Sequence, residues 1–280
     1  MTRNSRNSDP GRIPPPAKQE GGACASGVMR KAAPGKPLVT IITSTYNAAA
    51  HLPNVIKSVR EQTYANVEWI VVDGASKDRS IDILRENEDV IDHWIAEPDQ
   101  GIYDAWNKGL LLAHGDWVCF LGADDQLFPD AIESMVNVAG ESPEPLDLVS
   151  GKVQLCSRGV PRRTIGKPWT WGRFRKYMSV AHVGSMHNMA YFKRYGDFDT
   201  GFRIAGDYEL LLRAGPRLKA GFVDKVLAKM EVGGVSNQNT TVFRETLNAR
   251  VRHGATSRLA GIVSLVLAWF KWKVRRLIKY

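Results

Sequence analysis

Residues 38–73, "LVTIITSTYNAAAHLPNVIKSVREQTYANVEWIVVD", decide the fold. Two short β-branched runs, "LVTIIT" and "VEWIVVD", bracket a stretch in which Leu52, Val55, Ile56 and Val59 recur at helical spacing. Apolar runs without polar alternation are what strands buried on both faces require. The spacing between them predicts a helix, with Asn47 offering its cap. The alternation continues downstream. A turn "GASKD" and a helix through "SIDILRE" lead to a third strand, "IDHWIA". A helix over "GIYDAWNKGLLLAHG", stopping at Gly115, leads to a fourth, "WVCFL". The next helix is "PDAIESMVNVA", with Pro129 in its first turn. Strands alternating with helices predict an α/β layer fold with a largely parallel sheet.

In such sheets ligands bind beyond the carboxyl ends of the strands. The polar clusters fall at those ends: Ser44–Asn47, Asp73–Ser76, Pro98–Gly101 and the pair Asp124 and Asp125. Four clusters would converge on one crevice. Two adjacent carboxylates repel, so a metal cation, a cationic substrate or plain solvent has to accommodate them. Neither a G-x-G-x-x-G turn after the first strand nor a Walker-type lysine loop is present. A diphosphate in this crevice would therefore need a divalent cation on carboxylates, Mg or Mn being suited to hard oxygen ligands. For the pair taken alone, a solvated acidic turn is the alternative.

The chain has 280 residues and a formal charge of +9, distributed unevenly. Residues 1–37 carry +5 and residues 243–280 carry +8, leaving the middle at −4. An acidic core without a recognition motif argues against a nucleic-acid-binding protein. Residues 1–36, rich in Pro, Gly, Ser and charge and without an apolar signal segment, are expected to be disordered. Cys24, Cys119 and Cys156 form no disulfide framework or metal spacing, which fits a reducing cytoplasm. The tail, "RLAGIVSLVLAWFKWKVRRLIKY", has an unbroken apolar run only from Leu259 to Phe270, too short to span a bilayer. Its apolar residues form one helical stripe, and Trp269 and Trp272 sit beside Lys271, Lys273, Arg275 and Arg276, as in a helix lying in an anionic membrane interface. Docking on the domain or on a dimer partner is the other reading.

The segments "VTIITSTYNAAAHLPNVIKSVREQTYANVEWIVVDGASKDRS", "AEPDQGIYDAWNKG", "GDWVCFLGADD" and "GDFDTGFRIAGDYELLLR" resemble the family 2 glycosyltransferases, above all the bacterial exopolysaccharide and colanic-acid-type members. The resemblance covers about residues 38–232. It implies a GT-A fold over residues 37–242, with a mixed, mostly parallel sheet, followed by the amphipathic tail. It also implies inverting transfer of a sugar from a nucleotide-diphosphate donor, usually UDP, to a hydroxyl of a saccharide or lipid-linked saccharide. Surface-polysaccharide biosynthesis at the cytoplasmic face of the inner membrane is the setting it suggests. A catalytically inactive, membrane-associated assembly partner is the alternative function.

Carried over residue by residue, the resemblance gives Ser44, Tyr46, Asn47, Asp73, Asp99, Asp104 and Asp124 to the nucleotide-sugar. Asp125, with Asp124, takes the divalent metal (Mn or Mg), and Asp207 is the catalytic base. His182 is a possible substrate contact. Two positions depart from the family pattern. Gly74 stands where many members have a second acid, and Gly206 where many have Glu before the catalytic Asp. Read alone, Asp207 is also a helix-start acid on "YELLLRA". The mixed basic and aromatic stretch "KPWTWGRFRKYM", residues 167–178, is an acceptor-side loop, a nucleic-acid-like patch or a loop whose tryptophans pack against the core.

Overall fold

The computed structural model describes residues 18–26, 30–232, 241–264 and 266–267. Its centre is the expected unit: β2 (Val39–Thr45), α1 (Leu52–Arg60) and β3 (Val67–Asp73). β4 (His93–Ala96) and β5 (Trp117–Gly122) complete a parallel block in the order β4-β3-β2-β5. Every residue of β3 is buried, and all of β2 except Ser44, which is why these runs do not alternate with polar residues. The strand ends are level: Thr45 lies opposite Asp73, Asp73 opposite Ala96, and Ser44 opposite Gly122.

Successive residues of β2 face opposite cores. Val39 and Ile41 pack with α1, α2 (Ser80–Arg85) and α4 (Ala131–Glu141). Ile42 faces α3 (Ile102–Leu112), with Gly109 of α3 so close that a β-carbon there would lie 2.4 Å from the Ile42 side chain. That second core is rich in aromatic residues and extends to α6 (Met189–Tyr195), α7 (Gly206–Ala214) and α8 (Thr241–Arg252).

Beyond β5 the sheet becomes mixed. β9 (Ser185–Asn188) runs antiparallel to both β5 and β7 (Leu148–Ser157). β10 (Ala220–Glu231) is parallel to β7, and the two-residue β6 (Gln126–Leu127) closes that edge. β8 (Val160–Ile165) folds back on β7 as an exposed ribbon. Within the second half, α5 (Trp171–Phe174) places Phe174 in the aromatic core. Trp169 packs against that ring at 4.2 Å, so the basic-aromatic stretch is at least partly core packing.

Three sequence expectations need correction. Within the segment 1–36, expected to be disordered, Gln19–Gly21 instead form β1, which pairs antiparallel with β4 and covers an otherwise open sheet edge. Arg30 then pairs with the buried Asp92 at 2.8 Å; residues 1–17 and 27–29 of that segment lie outside the described residues. Asn47 does not cap α1, which begins at Leu52 with His51 before it. Pro129 precedes α4 rather than entering its first turn. In the tail, residues 258–264 are helical, and residues 268–280 lie outside the described residues. Among the described residues no helix is long and apolar enough to cross a membrane.

Candidate active site

The level strand ends build one cleft of about 630 Å³, lined by Tyr46, Gly74, Pro98, Asp99, Gln100, Gly101 and Arg203. Its floor is a stitched pair of turns. Asp73 is fully buried, and its oxygens accept from Thr45 Oγ1 at 2.7 Å, Ser76 N at 2.7 Å and Ser76 Oγ at 2.6 Å. Asn47, at a φ of 48°, accepts from Lys77 N at 2.9 Å while its own N–H donates to Ser76 Oγ. Both side chains thus shape the turns that present Tyr46 and Gly74. Ser44 is half-buried one residue below the strand tip.

Gly74 leaves room that Asp99 occupies. A β-carbon at Gly74 would sit 2.6 Å from Asp99 Oδ2 and 3.3 Å from the Tyr46 ring. The other Asp99 oxygen accepts from Gly101 N at 2.8 Å. Burial raises the Asp99 carboxyl above its ordinary range, against the Gly101 bond and the Lys108 charge. A carboxylate is therefore still present where the second strand-end acid is missing, supplied by the β4 end. Asp104, in the first turn of α3, accepts from Gln100 N at 3.0 Å and so shapes the same turn. Lys108 steadies it from outside through Pro98 O at 2.8 Å and Glu97 at 2.9 Å.

At the β5 end the two acids differ sharply. Asp124 is exposed; Asp125 is 5% exposed. Asp125 Oδ2 accepts from Gly122 N at 3.1 Å, and Oδ1 is buried without a hydrogen-bond partner. Gly122 permits this crowding, since a β-carbon there would lie 2.8 Å from Asp125 and 3.2 Å from Asp124. Burial, reinforced by the Asp124 charge, pushes the Asp125 carboxyl up to about 8. An unpartnered buried carboxylate oxygen is costly unless neutralised. A divalent cation at this strand end fits that need. Among the described residues no group of three His, Cys, Asp or Glu side chains surrounds such an ion, so the protein's share would be these two acids.

Asp207 is the second residue of α7, where the helix dipole favours negative charge. Its Oδ1 accepts from Tyr208 N at 2.8 Å and lies 3.4 Å from the Tyr103 hydroxyl, which donates to Ile204 O at 2.8 Å. The Tyr103 ring explains Gly206: a β-carbon there would fall 2.7–2.9 Å from the ring. The loop before α7 reaches the cleft through Arg203, which donates to Gln100 O at 3.1 Å. Sequence reasoning missed Arg203 and Tyr103, whose roles depend on contacts about a hundred residues away. His182 is buried against the rings of Trp106 and Phe120, with Nε2 unpartnered. Burial lowers its pKa, against the pull of the Asp207 charge, which favours the neutral imidazole.

The mixed, mostly parallel sheet with its flanking helices is a GT-A fold. Solved structures agree. TarS of S. aureus (residues 1–349, with UDP) superposes with a TM-score of 0.63 over 81% of this chain and 69% of that one, at 17% identity. The mannosyltransferase PcManGT of Pyrobaculum calidifontis, with GDP-Man and Mn2+, gives 0.53 over 78% and 63%, at 20% identity. The model of the family "Glycosyl transferase family 2" matches residues 40–197. A PGL/p-HBAD biosynthesis glycosyltransferase of Mycobacterium bovis is 32% identical over 84% of this chain and 92% of its own length. An uncharacterized glycosyltransferase of Mycobacterium tuberculosis is 32% identical over 72% and 78%. The chain belongs to glycosyltransferase family 2; it is a glycosyltransferase.

Proposed function

We propose that the chain transfers a sugar, with inversion, from a nucleoside-diphosphate donor to a hydroxyl of a saccharide or lipid-linked saccharide. The observation that carries this reading is the union of two halves. The strand-end cleft, with Asp99 in its wall, meets, through the Arg203–Gln100 bond, the loop that carries Asp207. Tyr46 and Asp99 would receive the nucleotide, and UDP is the one expected because the TarS neighbour is seen with UDP and with UDP-GlcNAc. Asp124 and Asp125 would hold Mn or Mg, which supplies charge neutralisation for the departing diphosphate.

Asp207 accepts the proton of the acceptor hydroxyl as its oxygen bonds to the anomeric carbon. The anomeric C–O bond to the diphosphate breaks in the same displacement, and the nucleoside diphosphate leaves with the electron pair. Attack opposite the leaving group inverts the anomeric centre. Surface-glycan biosynthesis is the proposed setting, in keeping with the mycobacterial relative's name. The tail would hold the enzyme at the anionic cytoplasmic face of the membrane. Leu259, Ile262, Val263, Val266 and Leu267 are all exposed, and five Lys or Arg follow within residues 271–279.

A panel of UDP-, GDP- and dTDP-sugars, assayed for nucleotide release with Mn or Mg and again in excess chelator, tests this reading. Release from one donor class, lost on chelation, is the expected result. Binding without release from any donor in the presence of candidate acceptors favours the inactive assembly partner instead. Release unaffected by chelator removes the metal from the account.

A further inference from the structure

We infer that α8 braces the catalytic loop, and that Glu245 is the positioning residue that sets the Asp207 carboxylate; this rests on Asp207 being the base. The chain from Phe198 to Ala205 connects the second core to α7 and includes no strand or helix. Its last three N–H groups, of Arg203, Ile204 and Ala205, converge on one carboxylate. Glu245 accepts them at 3.0, 2.9 and 2.9 Å, Oε1 taking the first and Oε2 the other two. Glu245 is buried, and the three donors lie 40–42 residues away in sequence.

A buried carboxylate is tolerated where N–H dipoles offset its charge, and the start of a helix concentrates such dipoles. The arrangement is directional. Three consecutive donors on two oxygens fix the orientation of residues 203–205, and Asp207 follows two residues later. The Tyr103 hydroxyl, donating to Ile204 O, holds the same peptide from the opposite side. α8 fastens the loop at its other end too, where Arg252 donates to Asp199 at 2.6 Å. His253, just beyond the helix, meets the buried Glu209 of α7 at 2.6 Å. Apart from Tyr103, every residue in these contacts falls outside residues 40–197, the part that the family model covers.

The inference separates Glu245 from an ordinary packing residue. A general base must lie within hydrogen-bond reach of its proton, and a displacement of about 1 Å can cost on the order of a hundredfold in rate. The hydrogen bonds of Glu245 go to the backbone of residues 203–205, and it meets the donor cleft at one remove, through Arg203, which lines that cleft. Loss of the brace should therefore lower kcat far more than it weakens donor binding.

The test compares wild type, Glu245→Gln, Asp207→Asn and the double variant, using nucleotide release from the donor found active and Kd for its nucleoside diphosphate with Mn2+. Gln preserves the shape of Glu245 but must turn an NH2 group toward N–H donors. Glu245→Gln is expected to lower kcat about 10- to 100-fold, with Kd within about twofold of wild type. In the Asp207→Asn background the same change should cost less than about twofold more. Equal losses in both backgrounds, or a parallel loss of Kd, overturn the brace and leave the base reading standing. Full activity of Asp207→Asn overturns the base reading and the brace with it. Hydrogen exchange of the wild-type chain gives a readout independent of any variant's folding. The amides of residues 203–205 should be protected well beyond that of Thr200 in the same loop, and equally rapid exchange contradicts the brace.

Discussion

Asp125→Asn should make the metal-free protein more stable, and increasingly so as the pH rises. The native carboxyl is pushed up to about 8, whereas the unfolded chain releases the proton near the ordinary value of 3.8. Between those values the native state binds about one proton more than the unfolded state, so stability falls as pH rises. Each pH unit corresponds to about 1.4 kcal/mol. From pH 5 to pH 8 the wild type therefore loses up to about 4 kcal/mol that the variant keeps, because an amide is neutral in both states. For a domain of this size that corresponds to a melting-temperature gap on the order of 10 °C. Denaturant unfolding of both proteins in chelator, at pH 5, 6, 7 and 8, measures the difference directly. Mn2+ should restore the wild type at pH 8 and leave the variant unmoved. A difference that stays flat with pH, or a variant less stable throughout, refutes the account of a buried, unpartnered Asp125.

Other outcomes follow from particular contacts. Gly74→Ala should raise the donor KM about tenfold with little change in melting temperature, since its β-carbon would meet Asp99 at 2.6 Å at the cleft wall. That factor equals about 1.4 kcal/mol, within the cost of modest overpacking; unchanged KM would mean that the nucleotide does not use this wall. Gly206→Ala should cost about 1–3 kcal/mol in denaturant unfolding and lower kcat, because the Tyr103 ring lies 2.7–2.9 Å from the new atom. Wild-type kcat in that variant would show that Tyr103 does not govern Asp207. Deleting residues 257–280 should release the protein from vesicles of anionic lipid while nucleotide binding persists, each basic residue at such a surface contributing about 1 kcal/mol. Co-sedimentation of the truncated chain with those vesicles would defeat the membrane reading.

The parallel block was legible because its signal is local. β2, β3 and β5 are short apolar runs, and the helices between them show one apolar face. The second half was far less so. β8 reads "VPRRTI", with five of its six residues exposed, and pairs only as the outer strand of a ribbon. β9 is four residues long and owes its existence to neighbours on both sides. β1 is held by main-chain pairing to β4, which composition does not encode.

The candidate site divides in the same way. The strand-end acids could be found because chain direction places them at one edge of the sheet. Asp207 reads both as a helix-start acid and as a base; the bond from Tyr208 N to Oδ1 belongs to the first role, and the second is the proposal. Asn47 read as a cap because its residue type suits one; its left-handed backbone and its bond to Lys77 N put it in a turn instead. Glu245 carried no sequence signal. A single Glu on a basic helix reads as a solvated charge, and only the fold brings three N–H groups to it.

The central claim is that the Asp207 carboxylate removes the acceptor's proton. Asp207→Asn, measured on one preparation for kcat of nucleotide release and for Kd of the nucleoside diphosphate, tests it most directly. The amide keeps the shape and the Tyr208 N–H contact but cannot take a proton. Turnover should fall about a hundredfold or more, with Kd within about twofold of wild type. Wild-type turnover, or a Kd that worsens in step with the rate, would contradict the claim.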